Sequence, residues 1–519
     1  VSLYDFWLAR HNIHLSEIQH ILRIDLNGNI YEYPAEAVYI DRVYMETKFP
    51  NVLKNIKPPV LNPDERYRKT LELIDKLSGE YSIGGITVKI DSSPLTLDEL
   101  VKRGYVKNVA SVSNPFLKFN PKKQADNQET DPRAVFKYGP YSGEKEIEIL
   151  CVIHPLNVDR DVIKNFVNEL VNLFNKYGFG KLVFDNKSYY AISADIEYSK
   201  VDEIVKQTPQ KKNNADCIAI VILPSKIANL KFIVGFKAKF AKIRDVPVQI
   251  IIEDTISQGK KKDIGIMKNI VIQLYSKLLK KGEAIWLLEK PADGSNQTIY
   301  VSLGFSRNPR DNREANSFAA LCDARGLVLE WKPVGIPFKG RYISKDWFEQ
   351  FLDTFLVDNL SVNPSVKRVV IYRKGITHSS EIENIKEAIR ENGLIENYQF
   401  ELVAAIDDIR RLYLTENGNI KNPESGIFLI LNENEALGYI SLQKYVELKQ
   451  GTFIPVRIVK YFGETDMKKI IVEYYDLCCL NWTAPITLSK YPFILNIANK
   501  MAEMVKENPE HEIYKWLPT

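Results

Sequence analysis

The sequence predicts a multidomain α/β protein whose middle is a doubly wound, parallel sheet. Two observations carry that prediction. From Glu146 onward, short apolar runs alternate with stretches whose apolar residues recur every three to four positions, the pattern of strands exchanging with helices. The chain of 519 residues also has room for roughly three to four domains. Its composition, 45% hydrophobic and 26% charged with 25 glycines and 25 prolines, is that of a chain with sizeable cores.

The elements follow in order. Residues 1–45 hold short β-like runs, Ile21 to Leu26, Ile30 to Tyr33 and Ala37 to Ile40, around an Asn27-Gly28 turn. Residues 46–145 mix a proline-rich entry, a helix from Asp64 to Leu77, a few strands and a polar loop between Asn120 and Arg133. In residues 146–290, strands are expected at Ile147 to Ile153, Lys181 to Phe184, Cys217 to Leu223 and Pro247 to Ile252. A helix between the first two carries Ile163, Phe166, Val167, Leu170 and Phe174 on one face. Such sheets bind ligands at the carboxyl ends of their strands. In residues 291–519, strands are expected at Ile299 to Ser306, Gly326 to Trp331, Arg368 to Tyr372, Phe400 to Ala405 and Ile427 to Leu431. Helices are expected at Ser344 to Val357, Ser380 to Asn392 and Pro492 to Lys506, the first capped by Ser344.

Charge is uneven. The net charge is only +4, yet Lys206 to Lys281 holds 16 basic residues against five acidic ones, leaving the rest mildly acidic. Such a block suits phosphate binding, although by charge alone a solvated lysine surface is the favoured explanation. No apolar run approaches the ~20 residues that span a bilayer. The first residues do not make a signal peptide, and five dispersed cysteines do not make a disulfide framework. The expected setting is therefore the cytoplasm, with no membrane insertion. The six histidines form no zinc spacing with cysteine.

Several stretches, taken in order, resemble the C-terminal two-thirds of an Argonaute protein of the prokaryotic and archaeal type. Tyr4-Asp-Phe6 and Tyr33 to Ile40 are similar to the last strands of a PAZ domain (residues 1–45). Asn62-Pro-Asp-Glu-Arg66, Asn114 to Phe119 and Lys137-Tyr-Gly-Pro-Tyr141 resemble the L2 linker region (46–145). Val246-Pro-Val-Gln249 and Asn269 to Lys277 look like the guide-binding motifs of a Rossmann-like MID domain (146–290). Val370 to Gly375, Ile486-Thr-Leu488 and Ile497-Ala-Asn-Lys500 look like a PIWI domain with the RNase H-like fold (291–519).

The resemblance implies a small guide RNA or DNA held by its 5′ phosphate, and a complementary DNA or RNA target recognised by pairing. A phosphate dianion needs convergent donors. Gln273 and Lys277, spaced i, i+4, share one helix face. The resemblance puts Gln249, Gln273 and Lys277 at phosphate-contact positions, with Lys237 or Lys239 as the lysine of the preceding helix. The family's stacking aromatic would fall at Ile233 or Gly235, with Phe232 or Phe236 as replacements one position away. It further implies a Mg²⁺ between the phosphate and the terminal carboxylate of Thr519.

Slicing would require carboxylates holding two Mg²⁺ ions. The matching positions here carry Gly304, Lys374 and Asn499, while Glu330 and Glu349 are expected to be structural. A glycine has no ligand atom and an ammonium repels a cation, so no catalysis is expected, and Lys374 is free to neutralise a phosphate of the duplex. A non-cutting member implies an associated effector and a role in host defence. Two alternatives stay open: an active guided endonuclease with displaced metal ligands, and an unrelated α/β module. For a natural start at Val1, the expectation is a split protein whose N, L1 and first PAZ segments come from a separately encoded subunit.

Overall fold

The computed structural model describes residues 21–26, 29–34, 61–83, 86–90, 93–185, 188–211, 216–257, 264–306, 316–334, 343–417, 419–440, 454–482, 485, 488–507 and 515–517. The chain divides into two compact units, Val1–Asn62 and Pro63–Thr519. In the first, strands β1 (Ile21–Leu26) and β2 (Asn29–Pro34) form an antiparallel hairpin in which Leu26 faces Asn29. The Asn27-Gly28 turn and the run from Ala37 to Ile40 lie outside the described residues.

The second unit opens with helix α1 (Pro63–Leu77), the hairpin β3 (Gly79–Ile83) and β4 (Ile86–Ile90), helix α2 (Leu97–Lys102) and strand β5 (Asn108–Ser111). Thr96 and Glu99 form a reciprocal capping box at the start of α2. The polar stretch after Asn120, expected as a loose loop, is instead pinned by a buried amide. Gln124 accepts from Phe119 N at 2.7 Å and donates to Leu117 O at 2.9 Å and Asn127 O at 3.0 Å.

Next comes β6 (Lys145–Pro155), α3 (Arg160–Lys176), β7 (Gly180–Phe184), β8 (Tyr189–Ile192), α4 (Val201–Gln207), β9 (Asp216–Leu223), α5 (Leu230–Arg244), β10 (Val248–Ile252) and α6 (Ile264–Ser276). The five strands make one parallel sheet, ordered β10–β9–β6–β7, with β8 also pairing β6. The apolar residues of α3 expected to share a face, Ile163, Phe166, Val167, Leu170 and Phe174, are all buried.

The third part comprises β11 (Thr298–Ser306), β12 (Asn316–Cys322), β13 (Val328–Pro333), α7 (Lys345–Phe351), β14 (Arg368–Lys374), α8 (Ser379–Glu391), β15 (Gln399–Asp407), β16 (Ile427–Asn432), β17 (Glu435–Tyr439), β18 (Val456–Phe462), α9 (Met467–Cys478) and α10 (Phe493–Glu507). Ser344 caps α7 as expected, its hydroxyl accepting from Trp347 N. The sheet order is β13–β12–β11–β14–β15–β18–β17–β16–β5, a nine-stranded mixed sheet among the described residues. Strands β11, β14 and β15 run parallel, so their carboxyl ends meet at one edge. Strand β5, far earlier in the chain, closes the other edge by pairing antiparallel with β16.

One apolar core joins the two large sheets, with contributions from Ile147 and Val152 on one and Tyr300 and Tyr372 on the other. Trp286 is fully buried between them; its carbonyl accepts from Trp482 Nε1 at 3.1 Å and its own Nε1 donates to Cys479 O at 3.4 Å. Further cores cover the opposite face of each sheet. Helix α10 lies across β11 and β12 and also touches α5, which brings the last helix against the parallel-sheet region. No helix among the described residues is long and apolar enough to cross a membrane.

Candidate nucleic-acid interface

Helix α5 starts at Asn229, whose side chain accepts from Phe232 N, and stops where Asp245 turns left-handed at φ 53°. Its Phe232, Phe236 and Phe240 are buried in the core behind the parallel sheet. Lys237 therefore emerges on another side. There it lines a small cavity with Pro247, Val248, Lys277, Met504, Trp516 and Leu517. Lys277 follows directly on α6, and Met504 belongs to α10, so the cavity sits where both regions of the second unit meet the chain's last described residues.

The electrostatics of this cavity are one-sided. Burial, and then the field of Lys500 on α10, brings the Lys237 ammonium down to about 8. Burial pushes Lys277 well down, assisted by Lys237 and Lys500, and Lys500 itself is lowered despite nearby Glu503. The Lys237 and Lys277 ammonium groups thus share a partly dehydrated space under the field of Lys500, and the cavity lining contains no carboxylate. An anion relieves that repulsion, and a dianion suits it better than a monoanion.

Gln249, one residue beyond Val248, is buried, and its Nε2 donates to Gln273 Oε1 at 3.0 Å and to Ile250 O at 3.0 Å. Gln273 stands one helical turn before Lys277, whose N–H donates to Gln273 O at 3.3 Å. The structure therefore brings Lys237 and Lys277 together and couples Gln249 to Gln273 beside them. Gln249 Oε1 and, on the same face of α6 as Gln273, Asn269 Oδ1 are buried without a hydrogen-bond partner.

Lys239 does not share this site. It pairs with Asp202 at 2.9 Å, and Asp202 also binds Lys206 at 2.6 Å, which holds the carboxyl down to about 2. Other cations of the basic block likewise have structural partners. Arg244 is buried and donates to Lys206 O and Thr208 O at 2.6 Å each, and Lys281 pairs with Glu330 at 2.7 Å. Neither replacement for the stacking aromatic has a free face. Phe236 is wholly buried, Phe232 is packed edge-on against Tyr198, and Tyr198 also stands over Gly235, leaving no room there for a side chain. Thr519 lies outside the described residues, although Trp516 and Leu517 bring the chain's end to the cavity.

At the carboxyl edge of the nine-stranded sheet, Lys374 ends β14 and is exposed, while Asn499 is half-buried on α10. Gly304 is also a packing position. A Cβ there would lie 2.2 Å from the carbonyl carbon and oxygen of Ala498 and 2.6 Å from Asn499 N. Position 304 is thus where the α10 backbone rests on β11, and no side chain fits while the helix stays. Glu330 and Glu349 have structural surroundings, beside Lys281 and Lys345. Among the described residues, no three of His, Cys, Asp and Glu gather at one point. Met504, which lines the cavity from α10, was not singled out from sequence, because only long-range packing brings it there.

Comparisons with known proteins agree on one family. The Piwi domain model matches residues 218–510. The chain is 20% identical over 382 residues to the protein argonaute of Aquifex aeolicus (strain VF5), covering 68% of this chain and 48% of that one. It thus spans about half the length of this curated relative. Its fold is similar to Clostridium butyricum Argonaute bound to a guide DNA and a 19-mer target DNA (TM-score 0.71, 16% identity, 98% of this chain and 68% of that one). It is also similar to Marinitoga piezophila Argonaute in complex with 5′ OH guide RNA (TM-score 0.61, 18% identity, 97% and 72%). Drosophila Piwi matches with TM-score 0.63 at 14% identity over 100% of this chain and 67% of that one. With a Piwi domain match over more than half of its residues, an α/β fold shared with Argonaute structures and a lysine-lined cavity where the two sheets' helices meet, the chain belongs to the Argonaute family.

Proposed function

We propose that this protein binds a small guide strand by its 5′ phosphate, captures a complementary nucleic acid by base pairing, and does not cut it. The observation that carries the first part is the carboxylate-free cavity where Lys237 and Lys277, under the field of Lys500, are lowered together. A terminal phosphate entering it would accept from both ammonium groups, with the Gln249–Gln273 amide pair at its side. The relatives crystallised with guide DNA, guide RNA and target DNA support the same reading. Sequence recognition then belongs to the guide, and the protein grips backbones through charge and shape.

The non-cutting part rests on residue chemistry. Gly304 and Lys374 on the sheet and Asn499 on the facing helix offer no carboxylate, and a glycine, an ammonium and an amide do not assemble a two-metal centre. A Mg²⁺ at the guide phosphate finds no described carboxylate in the cavity lining; the lysines supply the positive charge, and no step is routed through a metal. In this reading 146–290 acts as MID, 291–519 as PIWI, 46–145 as the L2 linker and 1–45 as part of PAZ. In this reading an effector acts on captured targets in cytoplasmic host defence.

The test is purification followed by sequencing of bound nucleic acid. Short 5′-phosphorylated strands are expected, and their sugar identifies RNA or DNA guides. Preparations free of nucleic acid that also take up no synthetic 5′-phosphorylated guide would remove the basis of the proposal.

A further inference from the structure

We propose that the core between the nine-stranded sheet and α9 contains a buried water site, in which ordered water bridges Glu473, Tyr300 and Tyr372. The site is independent of the guide-binding reading. Arg368 on β14, Glu401 on β15 and Glu473 on α9 form a buried triad, 5%, 1% and 0% exposed. Arg368 Nε donates to Glu401 Oε1 at 3.1 Å, and Arg368 Nη1 donates to Glu473 Oε1 at 2.7 Å. Each member of the triad therefore bonds through one side and leaves another polar atom over. Arg368 Nη2, Glu401 Oε2 and Glu473 Oε2 are buried without a hydrogen-bond partner, and so are the hydroxyls of Tyr300 and Tyr372.

These atoms belong to one place. Tyr300 on β11 and Tyr372 on β14 stack with ring centres 6.0 Å apart and planes 13° from parallel, and both are fully buried. Burial pushes both phenols well up, and of the charged groups near them Glu473 acts most strongly on each, with Arg368 opposing it. Both hydroxyls thus lie in the field of Glu473, yet neither reaches its free oxygen by a direct bond. Buried polar atoms are nearly always satisfied by protein or by ordered water, and a buried water makes about three bonds. A neutral phenol donates and a carboxylate only accepts, so water, which does both, joins them. One water accepting from the two hydroxyls and donating to Glu473 Oε2 makes those three bonds. A metal ion suits the place less well, because Arg368 already brings positive charge and, among the described residues, no three of His, Cys, Asp and Glu gather. Gly463 abuts Glu401 Oε2 so closely that no Cβ fits, and it lines a surface cleft with Phe462 and Glu464. That glycine is the thin wall between the triad and solvent.

The experiment is a crystal structure of the full chain at a resolution that shows ordered water, together with thermal melting of Tyr300→Phe, Tyr372→Phe and the double variant. Water is expected within hydrogen-bond reach, about 2.5–3.2 Å, of Glu473 Oε2 and of both hydroxyls. Each single variant keeps its ring and loses only the hydroxyl. Each should lower the melting temperature, and the double variant should lower it by less than the sum of the two, because one shared water is lost once. A dry site, a metal ion in it, or a tyrosine bonded directly to Glu473 in the crystal would overturn the proposal. Strictly additive losses, or melting unchanged in all three variants, would overturn it as well. Where a variant fails to fold, the wild-type crystal structure decides alone.

Discussion

Lys277→Ala and Gln249→Ala should each weaken binding of a 5′-phosphorylated guide by about ten- to a hundredfold, the range of a lost charge-assisted bond. The loss should shrink for a 5′-hydroxyl guide, and equal losses for both guides in a fluorescence titration would contradict the cavity assignment. The lowered lysines also set a pH dependence. Lys237 falls to about 8 in the folded chain against an ordinary lysine value of 10.5, so between these values the unfolded chain holds more protons. The contribution of Lys237 therefore makes the guide-free protein more stable as pH rises across that window. Guide binding runs the other way, because a phosphate favours the charged lysines: affinity should decline as pH passes about 8, with proton uptake on binding. Calorimetric titration in buffers of different ionisation enthalpy measures that uptake, and zero uptake at pH 9 would contradict the account. The residues of this cavity were legible to different degrees. Gln273 and Lys277 announced themselves through local spacing, whereas Met504 reaches the cavity only through tertiary packing. Which of Lys237 and Lys239 belongs there was open in the sequence and follows from Asp202, which takes Lys239.

Helix α10 and strand β11 illustrate what a single element-level contact imposes. Because a Cβ at position 304 would lie within 2.6 Å of the Ala498 and Asn499 backbone, Gly304→Ala must displace the helix from the sheet. The expected cost is about 1–3 kcal/mol, the usual range for overpacking, read by thermal or urea denaturation. A melting curve indistinguishable from wild type would contradict the close approach. Elements with a regular apolar period were visible in the sequence: α3, α8, α10 and strands β6, β7, β9 and β10 of the parallel sheet fall within a few residues of expectation. Strands β8, β12, β17 and β18 and helix α9 were not. Strand β17 contains Gly438, where a side chain would strike the Phe428 ring on the neighbouring strand, so its glycine signals close packing although it weakens the local strand pattern. In β18, Val456 to Phe462, buried Val456, Ile458 and Lys460 alternate with Arg457, Val459 and Tyr461, blurring the apolar period. Pairing of β5 with a strand more than 300 residues later has no local signal at all.

Across the second unit, the parallel sheet and the mixed sheet share one core around Trp286, and the lysine cavity lies at the junction of α5, α6 and α10. The two sheet regions should therefore melt together in one calorimetric transition, and Trp286→Ala should destabilise both, by about 3–5 kcal/mol for a buried aromatic truncation. Two transitions, with only one moved by the substitution, would argue for independent sheets. The shared core also gives the proposed function its geometry, since groups from both regions line one cavity. The measurement that tests the central claim most directly combines capture and cleavage in one reaction. Protein loaded with a 5′-phosphorylated guide is mixed with a labelled complementary target in Mg²⁺ or Mn²⁺, and the same sample is examined on native and denaturing gels. The predicted result is a guide-dependent shift of intact target in both metals; a guide-dependent cut at one defined position, or no shift at all, would contradict it.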